Sequence, residues 1–389
     1  MVQSFNLGNV IKEVSMIQTK MKGKLIFSVY LFVFLPAFSF VLLTPCQLKA
    51  VDFESMPTRD TPLGVIISTA NAPDSTWQDL ADTLFYAKAL GSHGSFIWSF
   101  GKEQNLEARV IQLWLINKVG LKSLAQLSVQ SLGKPKPPQG MPPTFSEVDG
   151  VTTRAYYLEC VRLFAEQKPD YINLAAEANF MYEWFRDEWN NYISLYNEAY
   201  NLVKSISPST KVGVSYHYGL FVVKTLAEGQ FVLPDELGPH DFIAFTSYPS
   251  YLLNPDAISN PFLSVDELAR WYSISRLVFP DTPILFTELG WSSAGTESEA
   301  AQNLYVESLP SLMADVQPEL ITWAFLHDTD FFRESFLSHL SPEELELIDS
   351  LGVDMIALFK RFNGLGLRFL DGTPKSSWDI AMGLDFSPQ

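Results

Sequence analysis

An eight-stranded β/α barrel is the fold that this chain of 389 residues predicts, on three observations. From about Pro62 onward, short apolar runs alternate with amphipathic stretches, the pattern of repeated β/α units. The apolar residues that precede Glu177 and Glu288 are continuous rather than alternating, which suits parallel strands covered on both faces. Eight of them can be counted, the number that closes such a barrel.

In chain order, the strands are expected at 63–69, 95–100, 123–129, 171–176, 211–216, 242–247, 284–287 and 320–326. Between the fourth and fifth, Trp189, Tyr192, Ile193, Tyr196, Ala199, Tyr200 and Val203 recur at three- and four-residue spacing and make one apolar helix face over 186–205. That helix must end before Pro208. Capping boxes mark helix starts at Ser264 with Glu267, at Thr296 with Glu299 and at Ser341 with Glu344, the last with Pro342 in its first turn. The Pro- and Gly-rich segment 130–150 follows the third strand and is expected as a long loop on the face where such barrels build their sites. A further insertion, with a helix over 342–351, is expected at 330–363. The run Asp371-Gly372-Thr373-Pro374 reads as a turn leading into the last helix.

Residues 25–43 carry no charge and follow Lys20, Lys22 and Lys24, as in an export signal. The run is also long enough to cross a bilayer, so attachment to the membrane through a retained anchor is the other reading. Leu43-Thr44-Pro45-Cys46 resembles a lipoprotein cleavage box, except that Pro45 stands where a small residue belongs. We therefore expect residues 1–50 to be an export signal or anchor and 51–389 to be one barrel domain, exported to the cell envelope or beyond. A hydrophobic content of 47% is ample for its core. Cys46 lies in the export region, which leaves Cys160 as a small core residue rather than half of a disulfide.

The formal charge is −17, and residues 1–50 hold five Lys against one Glu, a surplus of four, so the remainder carries about −21. Nucleic acid needs a basic footprint and is excluded as a partner. The five histidines are scattered with no close pair at ligand spacing, so no metal is expected. No phosphate-binding Gly-rich loop and no serine nucleophile elbow is present, so no cofactor is expected and serine-based hydrolysis is disfavoured.

Two carboxylates stand out: Glu177 in YINLAAEANF and Glu288 in PILFTELGW, each at the exit of an apolar strand. A charge there is costly unless it is used or paired. A pairing with a nearby Arg or Lys would explain one such residue, but two on separate strands with aromatics beside both fit a carboxyl pair that splits a glycosidic bond. The TELGW motif resembles the nucleophile strand of glycoside hydrolase clan A, the retaining β/α barrels. The fourth-strand run with VKSISPSTKVGVS, and DFIAFTSYPSYL at strand six, are similar to its endo-β-1,4-galactanase-type family.

The resemblance implies a glycosidase cleaving a β-linked oligo- or polysaccharide by double displacement, with Glu177 as acid/base and Glu288 as nucleophile. It further implies that Tyr248 donates a hydrogen bond to Glu288 and that Trp323 floors the sugar site. Trp98 and Trp291, at strand ends, suit the apolar faces of sugars, and each is equally readable as core. His217 and His327 end strands five and eight and could bind hydroxyls, although a lone strand-end histidine more often serves structure. One departure from the clan is Ala176, where an asparagine usually precedes the acid/base, and Asn179 is the nearest substitute. A non-catalytic carbohydrate-binding protein on a degenerate barrel is the rival reading, and a transglycosylase a third.

Overall fold

The computed structural model describes residues 58–72, 74–100, 106–131, 134–135, 137, 140–146, 152–229, 231–249, 264–294, 298–330 and 361–387. The export segment, the helix expected at 342–351 with its Ser341 cap, and Thr296 lie outside these residues.

Eight parallel strands close a barrel in sequential order: β1 (Leu63–Ile66), β2 (His93–Ser99), β3 (Lys122–Ser128), β4 (Tyr171–Asn173), β5 (Lys211–His217), β6 (Phe242–Ser247), β7 (Ile284–Leu289) and β8 (Leu320–Trp323). Closure is made by β8 on β1, with Leu63 opposite Ile321 and Val65 opposite Trp323. Nearly every strand residue is buried, as expected for a sheet filled inside and covered by helices outside.

The helices are α1 (Trp77–Leu90), α2 (Leu106–Lys118), α3 (Thr153–Ala165), α4 (Asn179–Trp184), α5 (Arg186–Ile206), α6 (Tyr218–Glu228), α7 (Leu233–Leu237), α8 (Val265–Val278), α9 (Glu299–Met313) and α10 (Ser376–Gly383). The apolar face read in the sequence for α5 is its buried face, carrying Trp189, Tyr192, Tyr196, Ala199 and Val203. The box at Ser264 forms as expected, with its hydroxyl accepting from the Glu267 amide while the Glu267 carboxylate accepts from the Ser264 amide. At α9 the cap is Ser298, accepting from the Ala301 amide. Glu299, expected to complete a box with Thr296, instead accepts from the amide and hydroxyl of Ser376 and ties α9 to α10. Cys160 is a buried free thiol on α3.

The barrel is filled in levels. Leu124, Tyr171, Phe242, Ala244, Leu285 and Leu320 form one apolar cluster. Two residues further along their strands, Gln126, Asn173 and Thr246 follow Leu124, Tyr171 and Ala244, and with Ser95 and Ser215 they make a polar level that is fully buried. Buried polar groups must be paired, and these pair with one another except for Thr246, which bonds to Glu177. The Gln126 amide nitrogen donates to Ser95 Oγ at 2.9 Å, and Asn173 donates to Ser215 Oγ at 2.9 Å and accepts from the Ser215 amide at 2.9 Å. Beyond this level Ile66, Tyr248, Ala324, Phe325 and Leu365 form a second apolar cluster, with Ile97 and Phe362 packed against it.

The 130–150 segment contains a short hairpin, Gln130–Ser131 against Lys134–Pro135. After β8 the chain is pinned by a buried ion pair, Lys375 Nζ to Asp328 Oδ1 at 2.6 Å, and Lys375 also donates to the carbonyl of Gly366 at 2.8 Å. The Asp371 turn forms as expected. Its carboxylate accepts from the Thr373 amide, and Gly372 takes φ +85°, a left-handed conformation that glycine adopts without strain.

Candidate active site

Glu177 follows β4 at a point where regular pairing has ended. After Asn173 the backbone continues through single bonds, Ala176 N to Leu127 O at 2.8 Å and Ala178 N to Ser215 O at 2.9 Å. Between them Glu177 sits at φ +54°, a left-handed conformation that is uncommon for a residue with a Cβ. Such strain costs about 1–3 kcal/mol and is held only where the surroundings over-determine it. Here the Glu177 amide faces Ser215 Oγ at 3.4 Å, and Thr246 on β6 donates its hydroxyl to Glu177 Oε1 at 2.7 Å.

Glu288 is aimed by a bulge. Phe245 of β6 pairs with Phe286 and the next residue, Thr246, with Glu288, while on the other side Ile321 pairs with Phe286 and Trp323 with Leu289. One extra residue in β7 therefore stands unmatched on both sides, and a bulge of this kind re-aims the side chains after it. Its Thr287 carbonyl accepts from Gln126 at 3.0 Å. Tyr248 then donates to Glu288 Oε2 at 2.6 Å, as expected from the sequence. Gly290 gives that ring its room, because a Cβ there would meet Tyr248 Cε1 at 3.1 Å and Leu365 Cδ2 at 3.0 Å.

The two carboxyls feel each other. Burial, and then the charge of Glu177, push the Glu288 carboxyl up to about 8, while the hydrogen bond from Tyr248 works in the opposite direction. Two neighbouring carboxylates resist ionising together, so the charge of Glu177 favours the protonated form of Glu288. His217 also lies within the field of Glu177. Burial lowers its basicity, the Glu177 charge partly restores it, and its Nδ1 caps α6 by accepting from the Leu220 amide at 3.3 Å.

The other residues expected at the site are placed differently. Asn179 is 1% exposed, with its amide spent on the backbone of His217, accepting from its N–H at 2.8 Å and donating to its carbonyl at 3.1 Å. Trp98, Trp291 and Trp323 are each 1% exposed and belong to the main core. Trp98 packs on Phe100 and Phe164, Trp291 lies against Tyr305, and Trp323 donates Nε1 to the Leu365 carbonyl at 2.8 Å. His327 is buried against Tyr86, its Nδ1–H donating to the Ser68 carbonyl at 2.7 Å, and burial holds it near 4, so it is neutral. Glu183, on α4, pairs with Lys224 at 2.8 Å.

Thr246, Gln126, Asn173 and Ser215 were not singled out from the sequence. The available signal was a polar residue within each of the apolar runs LAQL, YINL, GVSY and AFTS, with Gln126 and Asn173 in register on adjacent strands. Among the described residues no group of three His, Cys, Asp or Glu is placed to hold a metal ion.

No protein-family model matches the chain, and no curated protein matches it. Solved structures do. A glycoside hydrolase of family 5, subfamily 18, from Streptomyces cattleya in complex with GlcNAc is similar at TM-score 0.59 and 14% identity, over 84% of this chain and 79% of that one. The family 53 glycoside hydrolase catalytic domain of Ignisphaera aggregans is similar at TM-score 0.53 and 13% identity, over 86% and 98% of the two chains. A family 39 glycoside hydrolase from Bacteroides cellulosilyticus is similar at TM-score 0.51 and 15% identity, over 86% and 64%. At these identities the likeness is one of fold: the chain and these glycoside hydrolases share a closed eight-stranded parallel barrel.

Proposed function

We propose that the protein is a retaining glycoside hydrolase acting on a β-linked oligosaccharide or polysaccharide, with Glu288 as nucleophile and Glu177 as acid/base. One observation carries the reading: two carboxyls on the C-terminal rim of one barrel are held by hydroxyls two residues apart, Thr246 at the end of β6 and Tyr248 just beyond it, and the charge of Glu177 bears on Glu288. Fold and carbohydrate-bound neighbours support it. The same reading has the chain exported, on the uncharged run at 25–43.

Double displacement needs one carboxylate and one carboxylic acid, an inventory favoured where the charge of one carboxyl opposes ionisation of the other. In the first step Glu288 attacks the anomeric carbon while Glu177 gives its proton to the departing glycosidic oxygen. In the second, water attacks the glycosyl ester, Glu177 takes its proton, and Glu288 leaves as carboxylate. Burial opposes an ionised Glu288, and the Tyr248 hydroxyl is the contact that favours it. Bringing substrate between the two groups must leave the proton on Glu177.

A second reading, a carbohydrate-binding protein without turnover, is favoured by Ala176 and by the engagement of the Asn179 amide elsewhere. Assay of wild type, Glu177→Ala and Glu288→Ala against β-linked galactans, mannans and glucans separates the two. Turnover with retained configuration at the new reducing end, lost about 10²–10⁴-fold in Glu177→Ala and abolished in Glu288→Ala, is the expected result. Activity that survives Glu288→Ala, or an inverted product, rules out the assignment, and binding without turnover in wild type establishes the second reading.

A further inference from the structure

Of the nine tryptophans, all within the described residues, Trp184 alone is exposed, at 44%. It sits on α4, the short helix that begins two residues after Glu177. One face of its ring lies on Phe180, with centroids 4.9 Å apart and planes 8° from parallel, and the ring of Phe180 in turn lies 5.1 Å from that of His217. His217 is the histidine whose protonation responds to Glu177. His217, Phe180 and Trp184 thus form one row of rings beside the segment that carries Glu177, and Trp184 is its exposed member.

The row is rigid. Asn179 clamps the start of α4 to the His217 backbone in both directions. On the other side of the helix Met181 is buried, and Tyr182 is held under the guanidinium of Arg186 at 3.8 Å and edge-on to Trp189 at 5.7 Å. A fixed, solvent-facing aromatic plane is expensive in water and well suited to the apolar face of a pyranose ring.

Resting on the functional reading above, we infer that Phe180 and Trp184 form a platform for the leaving-group end of a glycan chain. The sugar that departs receives its proton from Glu177 and so lies on the Glu177 side of the cleft. The units beyond it continue in the direction in which the rings run. The occupant is a neutral, β-linked chain longer than a disaccharide, and the platform selects for length.

The test uses di- and hexasaccharides of the β-1,4-linked galacto-, manno- and gluco- series. Their affinities are measured calorimetrically on a Glu177→Gln/Glu288→Gln protein, with and without Trp184→Ala, and kcat/KM is measured in the active background. Loss of Trp184 is expected to weaken the hexasaccharide roughly tenfold more than the disaccharide, with Trp184→Phe restoring most of the difference. Hexasaccharide should also shield tryptophan fluorescence from acrylamide in the parent and not in Trp184→Ala. Equal effects on both lengths, or none, overturn the platform while leaving the glycosidase reading intact if wild type still cleaves. Failure of every sugar both to bind and to be cleaved overturns both.

Discussion

Thr246 donates its hydroxyl to Glu177 at 2.7 Å while its backbone stands in register with Glu288. One residue of β6 thereby references both carboxyls to the same strand. Thr246→Val keeps the shape and removes the donor. A hydrogen bond to a charged group contributes about 1.5–3 kcal/mol, so kcat/KM should fall roughly 10- to 100-fold with little change in melting temperature. An unchanged kcat/KM would show that the contact does not orient Glu177.

Replacing Glu177 with Gln removes the like charge that faces Glu288 but not the burial, which is the larger cause of its raised value. In Glu177→Gln the Glu288 carboxyl should therefore titrate below about 8 yet still above the ordinary 4.5. Carbon-detected NMR of labelled glutamate reads this directly. A value at or above that of wild type would mean that the two groups do not share a field.

The same group links stability to pH. Its folded value, about 8, lies above the ordinary 4.5, so between these limits the folded protein holds a proton that the unfolded chain has released. Stability from this group is complete below the lower value and is lost as pH rises through the upper one. Glu288→Gln cannot ionise, so its stability advantage over wild type should grow across that window and level off above it. Denaturant unfolding on either side of the window checks the sign, and an advantage that shrinks with rising pH would contradict it.

The strands were legible because both faces of each are buried, which makes the runs largely apolar rather than alternating. Their ends were less so. Strands four and eight were expected to reach 176 and 326, but the ladders stop at Asn173 and Trp323, and the chain runs on through isolated bonds such as Leu326 N to Ile66 O. Hydrophobicity continues there while pairing does not. The bulge in β7 had no compositional mark, since the unmatched Thr287 sits in a run that reads as ordinary strand. The glutamates were legible because a charge within an apolar run is conspicuous. A tryptophan at a strand end looks the same whether it faces a cleft or a helix, and Trp98, Trp291 and Trp323 face the core, whereas Trp184, on a short helix of mixed aromatic and charged residues, is the exposed one.

Gly290 follows β7, and a Cβ added there would crowd three side chains, including the ring that bonds to Glu288. Gly290→Ala would place a methyl group 3.1 Å from Tyr248 Cε1 and 3.2 Å from the Ala324 methyl, both tighter than ordinary contact. Overpacking of this kind costs about 1–3 kcal/mol. The activity of Gly290→Ala should fall toward that of Tyr248→Phe, and combining the two should add little further loss. Additive losses would show that the glycine acts by another route.

Gln126 joins the two halves of the site from beneath. Its amide nitrogen donates to the Thr287 carbonyl, one peptide before Glu288, and its oxygen faces the Asn173 amide at 3.4 Å. Asn173 in turn holds Ser215, whose hydroxyl faces the Glu177 amide. Gln126→Met fills the same space and makes none of these bonds, leaving the bulge carbonyl buried without that donor. The desolvation penalty is about 1–3 kcal/mol in stability. If the network only filled the barrel, kcat would survive in molecules that remain folded. If it positions the carboxyls, kcat falls at unchanged KM, because both backbones that carry the reacting groups lose a common support. Gln126→Glu separates the two contacts, since a carboxylate can still accept from Asn173 but cannot donate to Thr287, so the kcat defect should persist in it. Full activity in Gln126→Glu would place the function of the residue in the Asn173 contact alone.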